Sequence, residues 1–329
     1  MTVETLPRAF VWRRLHSLMG LWLVLFLFEH LLVNSQAALL LGDSARGFVD
    51  AVNGIHNLPY LQVIEIFLLG VPILIHGIWG VKYLMTSKFN SGSSDGRAPA
   101  LSQYGRNHAY TWQRLTSWIL LVGIALHVAK FRFIDYPTSL NQGVNTYYFI
   151  PVSLDKGLYT VAARLGVELY SPEKILHERK ELEDRGEEQA LVEVGKTLPD
   201  KATFDPQEQM ILTSAQAYEQ KMAWVEMLEK QKVPAGSVLT VSQDFGTASV
   251  LKVRATFSHP LYVGLYTIFV LAACFHGFNG LWTFCITWGV VLKMAAQKRM
   301  LRFAWGLMAL VTFLGLISIW GTYFLNLRV

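Results

Sequence analysis

Five stretches of this sequence, roughly 16–41, 60–85, 110–133, 260–292 and 303–327, are apolar over the length that a bilayer-crossing helix needs, about 20 residues at ~1.5 Å of rise each. In hydrocarbon every backbone polar group has to be satisfied within its own segment, so runs of this kind become helices. The first stretch is longer than the roughly 7–15 apolar residues of a cleaved leader and is followed by no small-residue cleavage site, so it reads as a retained span. Composition agrees with lipid burial: 52% of the 329 residues are apolar and 16% are charged, against about 25% charged in an ordinary soluble domain. Cys274 and Cys285 lie eleven positions apart in one apolar run. On a helix that is about 16 Å of rise, too far to bridge, which excludes a disulfide-stapled module.

The net charge of +5 is unevenly divided. Residues 131–259 hold 18 of the 24 acids and 14 of the 29 bases, and the remainder is strongly basic. Its bases flank the apolar runs, a pattern of membrane topology rather than of a phosphate-binding face, so no nucleic-acid partner is expected. Short-loop bases are retained on the cytoplasmic side. Arg8, Arg13 and Arg14, then Lys82, Lys88, Arg97, Arg106 and Arg114, then Lys293, Lys298, Arg299 and Arg302 fall on one side, against Arg46, Lys130 and Arg328 on the other. The N-terminus of this multi-pass membrane chain is therefore expected on the cytoplasmic side.

Three regions follow: helices 1–3 in 1–134, an extracytoplasmic insert in 135–256, and helices 4–5 in 257–329. Within the insert, 172–194 and 205–232 carry alternating-sign charge with apolar residues at helical spacing, such as Met222, Val225, Met227 and Leu228, and predict two amphipathic helices. Pro234, Gly236 and the β-branched run that follows suggest a short hairpin within 233–256. No internal repeat or low-complexity tract is found.

Four of the nine histidines lie inside spans: His30, His76, His127 and His276, one in each of the first four and none in the fifth. Ionisable groups in a membrane are costly and face a bundle interior or a polar path. Two facing imidazoles can ligate iron from both sides of a haem plane. Depth sorts them. His30 lies 16 residues from Arg14 and His127 lies 13 from Arg114, roughly 24 and 20 Å from the cytoplasmic edge. His76, 6 residues from Lys82, and His276, 12 from Trp288, lie at about 9 and 18 Å, a looser match. Gly77, Gly123, Gly277 and Gly280 beside these histidines suit close approach of a flat macrocycle and are also common in membrane helices. A satisfied interhelical hydrogen bond is the plain alternative for any one of the four.

The runs Arg13-Arg14-Leu15-His16-Ser17-Leu18, Glu29-His30-Leu31-Leu32-Val33-Asn34, Glu65-Ile66-Phe67 through Pro72 to His76, Trp112-Gln113-Arg114-Leu115-Thr116, and Phe275-His276-Gly277-Phe278-Asn279-Gly280-Leu281-Trp282 through Thr287-Trp288-Gly289 resemble the dihaem cytochrome b membrane anchor of succinate dehydrogenase and fumarate reductase. The match is to the single-polypeptide, five-helix type found with menaquinone in bacteria, over roughly 8–134 and 257–328. The resemblance implies an all-α integral membrane protein whose first four helices form a dihaem bundle, with a large, mainly helical extracytoplasmic insert as a departure from compact relatives. It implies two haem b groups, the proximal one on His76 and His276 and the distal one on His30 and His127. It also implies flavoprotein and iron–sulfur partner subunits, with electrons passing to a membrane quinone. The insert can cap the outer site, bind another partner or decorate the third span, and sequence does not choose among these.

Haem propionates need donors near span ends. His16, Ser17, Arg14 and Arg114 answer that demand, with His108 and Trp112 at the same edge; positive-inside anchoring is the plain alternative for the arginines. His16 and Ser17 match the family motif that faces the proximal haem. For quinone protonation the outer candidates are Asp50 and Glu65, which can relay protons, in the company of Asn53, His56, Asn57 and Glu29. His177 and His259 read as surface residues. The basic loop 86–106 and the tail 1–12 are the candidate docking surfaces for the iron–sulfur partner or for anionic lipid.

Two other readings compete: the dihaem cytochrome b of a membrane hydrogenase or formate dehydrogenase, which lacks the Arg-Leu-His-Ser and His-x-x-Asn-Gly matches, and a cofactor-free transporter or channel using a histidine chain. The second needs polar residues between the two depths, where Leu, Ile, Phe and Trp stand instead. No nucleophile, phosphate loop or metal-hydrolase constellation is present.

Overall fold

The computed structural model describes residues 6–39, 44–87, 91, 101–193 and 206–328. Most of the basic loop 86–106 and part of the tail 1–12 lie outside the described residues. Five helices are long and apolar enough to cross a membrane: α1 (Arg8–Leu39), α3 (Leu61–Thr86), α4 (Gly105–Ile134), α9 (Pro260–Thr287) and α10 (Met294–Asn326). The short helix α2 (Arg46–His56) lies between the first two in sequence. Each expected span has its helix, and the bounds shift for local reasons. Helices α1 and α10 begin about two turns earlier than hydropathy indicates, because Arg13, Arg14, Lys298, Arg299 and Arg302 carry long alkyl stems that lie along a helix while their charges reach water. Helix α9 stops at Thr287 because Gly289 adopts φ +72° just beyond its cap residue Trp288, the left-handed turn that ends a helix most cheaply at glycine.

The chain divides into two compact units, Met1–Ile134 with Thr256–Asn326, and Asp135–Ala255 with Leu327–Val329. In the first, α1 packs against α2, α3, α9 and α10, and α9 packs against α1, α4 and α10. The four histidine-bearing helices thus run α3, α1, α9, α4 in order of close packing, with α1 and α9 central. Helix α10 seals against this pair through absent side chains: a Cβ at Gly315 would lie 2.5 Å from Val270, and one at Gly321 would lie 2.7 Å from the Cβ of Ala38. Its buried polar groups are satisfied locally, Ser318 donating to the Gly315 carbonyl and Thr322 to that of Ser318, while Asn326 reaches across to Ala37 O at 2.8 Å.

Helix α3 changes character before its histidine. Pro72 has no N–H to give to the Leu68 carbonyl, and residues Ile66–Gly70 adopt a wider π-helical turn. The indole of Trp22 on α1 donates to Leu68 O at 2.6 Å, so the carbonyl that proline orphans is satisfied from the neighbouring helix. Wide turns of this kind also form the ends of α4 (Ala129–Ile134) and α10 (Ile317–Asn326).

The second unit is mainly helical, as expected, and also holds a four-stranded antiparallel sheet of order β1-β2-β4-β3. Its elements are β1 (Thr138–Gln142), β2 (Asn145–Ser153), α5 (Leu158–Leu165), β3 (Glu168–Tyr170), α6 (Pro172–Glu193), α7 (Pro206–Lys230), β4 (Ser237–Ser242) and α8 (Phe245–Phe257). The amphipathic helices stand where charge patterning put them. The hairpin does not: within 233–256 the β-branched run forms one strand, β4, followed by α8. The hairpin is instead β1–β2, closed by Gly143 and Val144 with Gly143 at φ +61°, a glycine-first two-residue turn. Strand β4 is spoken for on both edges, by β2 and β3, which is why its run lacks the alternation of an exposed hairpin. Phe149, Leu239 and Val241 form a core with Tyr170, Ile175 and Leu228, against which Trp224 packs. The intervening Ile150, Val152 and Val238 are buried as well, so both faces of the sheet are covered. Helices α6 and α7 are joined by Glu178–Lys221 and by a two-pronged Arg179–Glu229 pair at 3.0 and 2.7 Å.

Arg254 is fully buried in this unit, donating to Leu327 O at 2.5 Å and to Asp155 Oδ1 at 2.7 Å. Leaving a buried guanidinium without its carboxylate costs about 3 kcal/mol or more. Asp155→Ala is expected to quicken amide exchange in β2 and β4 by roughly a hundredfold while leaving exchange in α1 and α9 unchanged; equal rates in β2 and β4 would show that Asp155 carries none of that load.

Candidate functional site

The histidines of the first unit meet in two pairs. The rings of His76 on α3 and His276 on α9 have centres 6.2 Å apart at 82°, and those of His30 on α1 and His127 on α4 are 5.8 Å apart at 84°. These are the pairs that depth matched. Neither pair joins helices that pack closely side by side: α3 with α9 and α1 with α4 are diagonals of the order α3, α1, α9, α4. Each imidazole therefore faces its mate across the bundle interior. Among the described residues no group of three or more His, Cys, Asp or Glu side chains is arranged to hold a bare metal ion, so the donor chemistry is of paired imidazoles.

Polar neighbours engage Nδ1 of three of the four rings. His76 Nδ1 lies 3.0 Å from the carbonyl of His16. His276 Nδ1 lies 3.3 Å from the carbonyl of Gln113, with the hydroxyls of Thr116 and Ser117 at 3.4 Å each. His127 Nδ1 lies 3.2 Å from the hydroxyl of Tyr266. A backbone carbonyl only accepts, so His76 and His276 carry their proton on Nδ1 and present Nε2 as the lone-pair nitrogen. Metal-binding histidines use this arrangement. Two in-line nitrogen–metal bonds of ~2 Å would set the ring centres about 6 Å apart, the spacing of both pairs. The residues present thus fit a six-coordinate haem iron at each level.

Motif residues around His276 form a clasp. Gln113 donates its amide to His276 O at 3.1 Å and accepts from Asn279 Nδ2 at 2.7 Å, so α4 and α9 are locked together one turn from the ligand candidate. At the other ring of this level, His16 stacks on His76 with centres 4.0 Å apart and planes 9° from parallel. The glycine at 20 is what lets α1 approach: a Cβ there would lie 2.8 Å from His76 Cε1. The sequence glycines have different uses. A Cβ at Gly123 would strike Phe269 at 2.5 Å, and one at Gly277 would touch Val24 at 3.3 Å, so both serve contact between helices.

The remaining expected residues scatter. His16 has a buried Nδ1 with no hydrogen-bond partner, and Ser17 beside it is half-buried. Arg114 lies over the ring of Tyr110, and Arg14 donates to the Thr287 carbonyl and sits over Phe10 and Trp288. His108 bonds the Ser102 carbonyl, and Trp112 is exposed. At the other end, Asp50 is exposed and only distantly paired with Arg46 at 3.9 Å. Glu65 is half-buried and bonded to Arg132 at 2.8 Å; both charges also act on His56. Glu29 is exposed. His177 pairs with Glu181 on the surface, and His259 caps α9 by accepting from the Leu261 N–H. Sequence reasoning missed Gly20, Tyr266 and Arg132. An arginine inside an apolar run is expensive enough to demand a partner, and the only acid in the facing part of α3 is Glu65, so that pair was open to inference; nothing in the sequence singles out Tyr266.

The chain is 36% identical over 126 residues to the succinate dehydrogenase cytochrome b558 subunit of Bacillus subtilis (strain 168), a match covering 38% of this chain. It spans 56% of the length of that curated relative. The resemblance to a succinate dehydrogenase cytochrome b subunit is thereby shown, over part of the chain. No family model matches, and no solved structure matches.

His56, on α2 outside the spans, makes a test of the polar cluster that includes Glu65 and Arg132. Burial first, and then the Arg132 charge, hold its pKa below the usual histidine value, with Glu65 opposing. The folded chain therefore binds fewer protons than the unfolded one just below about pH 6.5, and stability falls as pH drops through that value. The melting temperature of the detergent-solubilised chain is expected to decline between about pH 7.5 and about pH 5.5, and His56→Gln to shrink that decline; an identical decline in both proteins would remove His56 as its source.

Proposed function

We propose that this chain is the cytochrome b membrane anchor of a succinate:quinone oxidoreductase, carrying electrons between an iron–sulfur subunit and membrane quinone through two b haems. The observation that carries the reading is the pair of facing imidazole couples, each at iron-spanning distance and each on diagonal helices, in a chain similar to a succinate dehydrogenase cytochrome b558 subunit. In this reading His76 and His276 bind the haem nearer the cytoplasm, His30 and His127 bind the outer one, and His16, Ser17 and Arg114 serve the propionates. A flavoprotein partner supplies the succinate chemistry. The N-terminus faces the cytoplasm of a bacterial inner membrane, and menaquinone is the quinone that the family resemblance implies.

The residues of the chain divide the work. Bound haem would supply one-electron transfer between the two levels. His16 O and Gln113 O hold the Nδ1 protons of His76 and His276, which would leave Nε2 free to ligate a haem iron and raise its basicity. Gln113 and Asn279 fix the backbone that carries His276, which would hold that ring in place as a haem ligand. The unpartnered Nδ1 of His16, stacked on His76, offers a polar contact to an anionic edge. At the outer end Glu65, held by Arg132 with His56 nearby, is a group able to take and give the proton that quinone reduction requires, and Asp50, open to solvent, can exchange it with water. The residues between the two levels are mainly Leu, Ile, Phe and Trp, which favours electrons over protons as the cargo of the interior.

The test is a count. Pyridine haemochrome quantification of the purified complex is expected to give two b haems per chain, low-spin and six-coordinate. His76→Ala or His276→Ala should each remove one spectral component, and His30→Ala or His127→Ala the other. If all four variants keep two low-spin haems, the ligand assignment is wrong; if the well-folded complex holds none, the electron-transfer reading falls.

A further inference from the structure

We propose that Tyr266 is a positioning residue for the outer haem, holding the ring of His127 and lowering that haem's reduction potential. The proposal rests on the haem reading above. Three of the four imidazoles have a defined Nδ1 partner, and one partner differs in kind. His76 and His276 face backbone carbonyls at 3.0 and 3.3 Å, whereas His127 faces a side-chain hydroxyl, Tyr266 Oη, at 3.2 Å. A carbonyl oxygen is set by the helix that carries it and survives any substitution. A phenol is supplied by one side chain and can be removed.

If His127 gives Nε2 to iron, its proton sits on Nδ1, so Nδ1 donates and Tyr266 Oη accepts. An acceptor on that proton makes the imidazole more basic, and a more basic ligand stabilises the ferric over the ferrous state. Tyr266 is placed to do this reproducibly. Its ring stands edge-on to Phe257 at 5.4 Å and Phe269 at 6.0 Å, with Phe131 at 6.2 Å, and Phe131 and Phe269 also flank His127 at 5.3 and 6.0 Å. One aromatic cluster therefore holds both partners of the bond. Tyr266 and His276 lie ten residues apart on α9, about 15 Å of rise. A single helix would thus ligate the inner haem and tune the outer one.

The experiment is a potentiometric titration of the purified haem-loaded complex, unsubstituted and with Tyr266→Phe, followed at the haem absorption bands. The component lost in His127→Ala identifies the outer haem. Tyr266→Phe is expected to retain two haems per chain and raise the outer midpoint potential, leaving the inner one in place. Tyr266→Gln, which restores an acceptor oxygen, should return the outer potential toward its original value, and Tyr262→Phe, which alters a neighbouring tyrosine, should move neither. Unchanged potentials in Tyr266→Phe, equal shifts of both haems, a Tyr266→Gln value matching that of Tyr266→Phe, or loss of the outer haem from both Tyr266 variants would each overturn the proposal. Absence of haem from the unsubstituted complex would be a different failure, that of the haem reading itself.

Discussion

A ring nitrogen buried among helices in lipid has to find a partner, and in this chain that requirement organises the interior. Each imidazole has two nitrogens with opposite needs. At His76 and His276 the donor need is met by a main-chain carbonyl from a neighbouring helix, His16 O on α1 and Gln113 O on α4. Meeting it brings α1 onto α3 and α4 onto α9 at one register, and the glycine at 20 exists to permit the first of these approaches. Across the diagonal the rings of His76 and His276 stand with centres 6.2 Å apart. Helix packing and the orientation of these rings are therefore one problem solved by the same contacts.

The same economy of partners explains features that look like irregularities. Pro72 removes a donor from the middle of α3, and the Trp22 indole replaces it at Leu68 O. Arg132 and Glu65 are charges at the apolar ends of α4 and α3, and they pair with each other. Asn326, buried on α10, spends its amide on Ala37 O. In water each of these groups would be solvated at little cost; where solvent is absent each needs a specific mate, and each mate ties two helices together.

Much of this was legible in the sequence because hydropathy and depth are one-dimensional. Span number, the two charged helices of the insert and the pairing of His30 with His127 follow from counting residues along a helix of fixed rise, whereas the depths of His76 and His276, about 9 and 18 Å, match only loosely. What the sequence hid is two-dimensional or borrowed. Register between helices decides that Gly20 meets His76 and that Gly123 meets Phe269, and spacing along one helix says nothing of it. The insert's sheet escaped notice because β4 is paired on both edges and covered on both faces, which erases the alternation that marks a half-exposed strand, while β3 is only three residues long. The hairpin expected at 233–256 failed for that reason: its β-branched run was correctly strand-like, but its neighbours come from 145–153 and 168–170, far off in sequence.

The two histidine levels are not equivalent, and the difference has a direction. At the inner level both Nδ1 contacts are to main-chain oxygens, with the hydroxyls of Thr116 and Ser117 beside His276 and the stacked ring of His16 against His76. At the outer level His127 leans on a phenol within an aromatic cluster of Phe131, Phe269 and Phe257. Carbonyl acceptors are fixed by secondary structure and tolerate any side-chain drift, so the inner level is built to hold constant properties. A side-chain acceptor can be exchanged by a single substitution, so the outer level is the one whose properties can be adjusted without rebuilding a helix. The adjustable level is also the one whose helices α3 and α4 carry the Glu65–Arg132 pair, so on the proposed function it would be the level whose properties are matched to the electron acceptor.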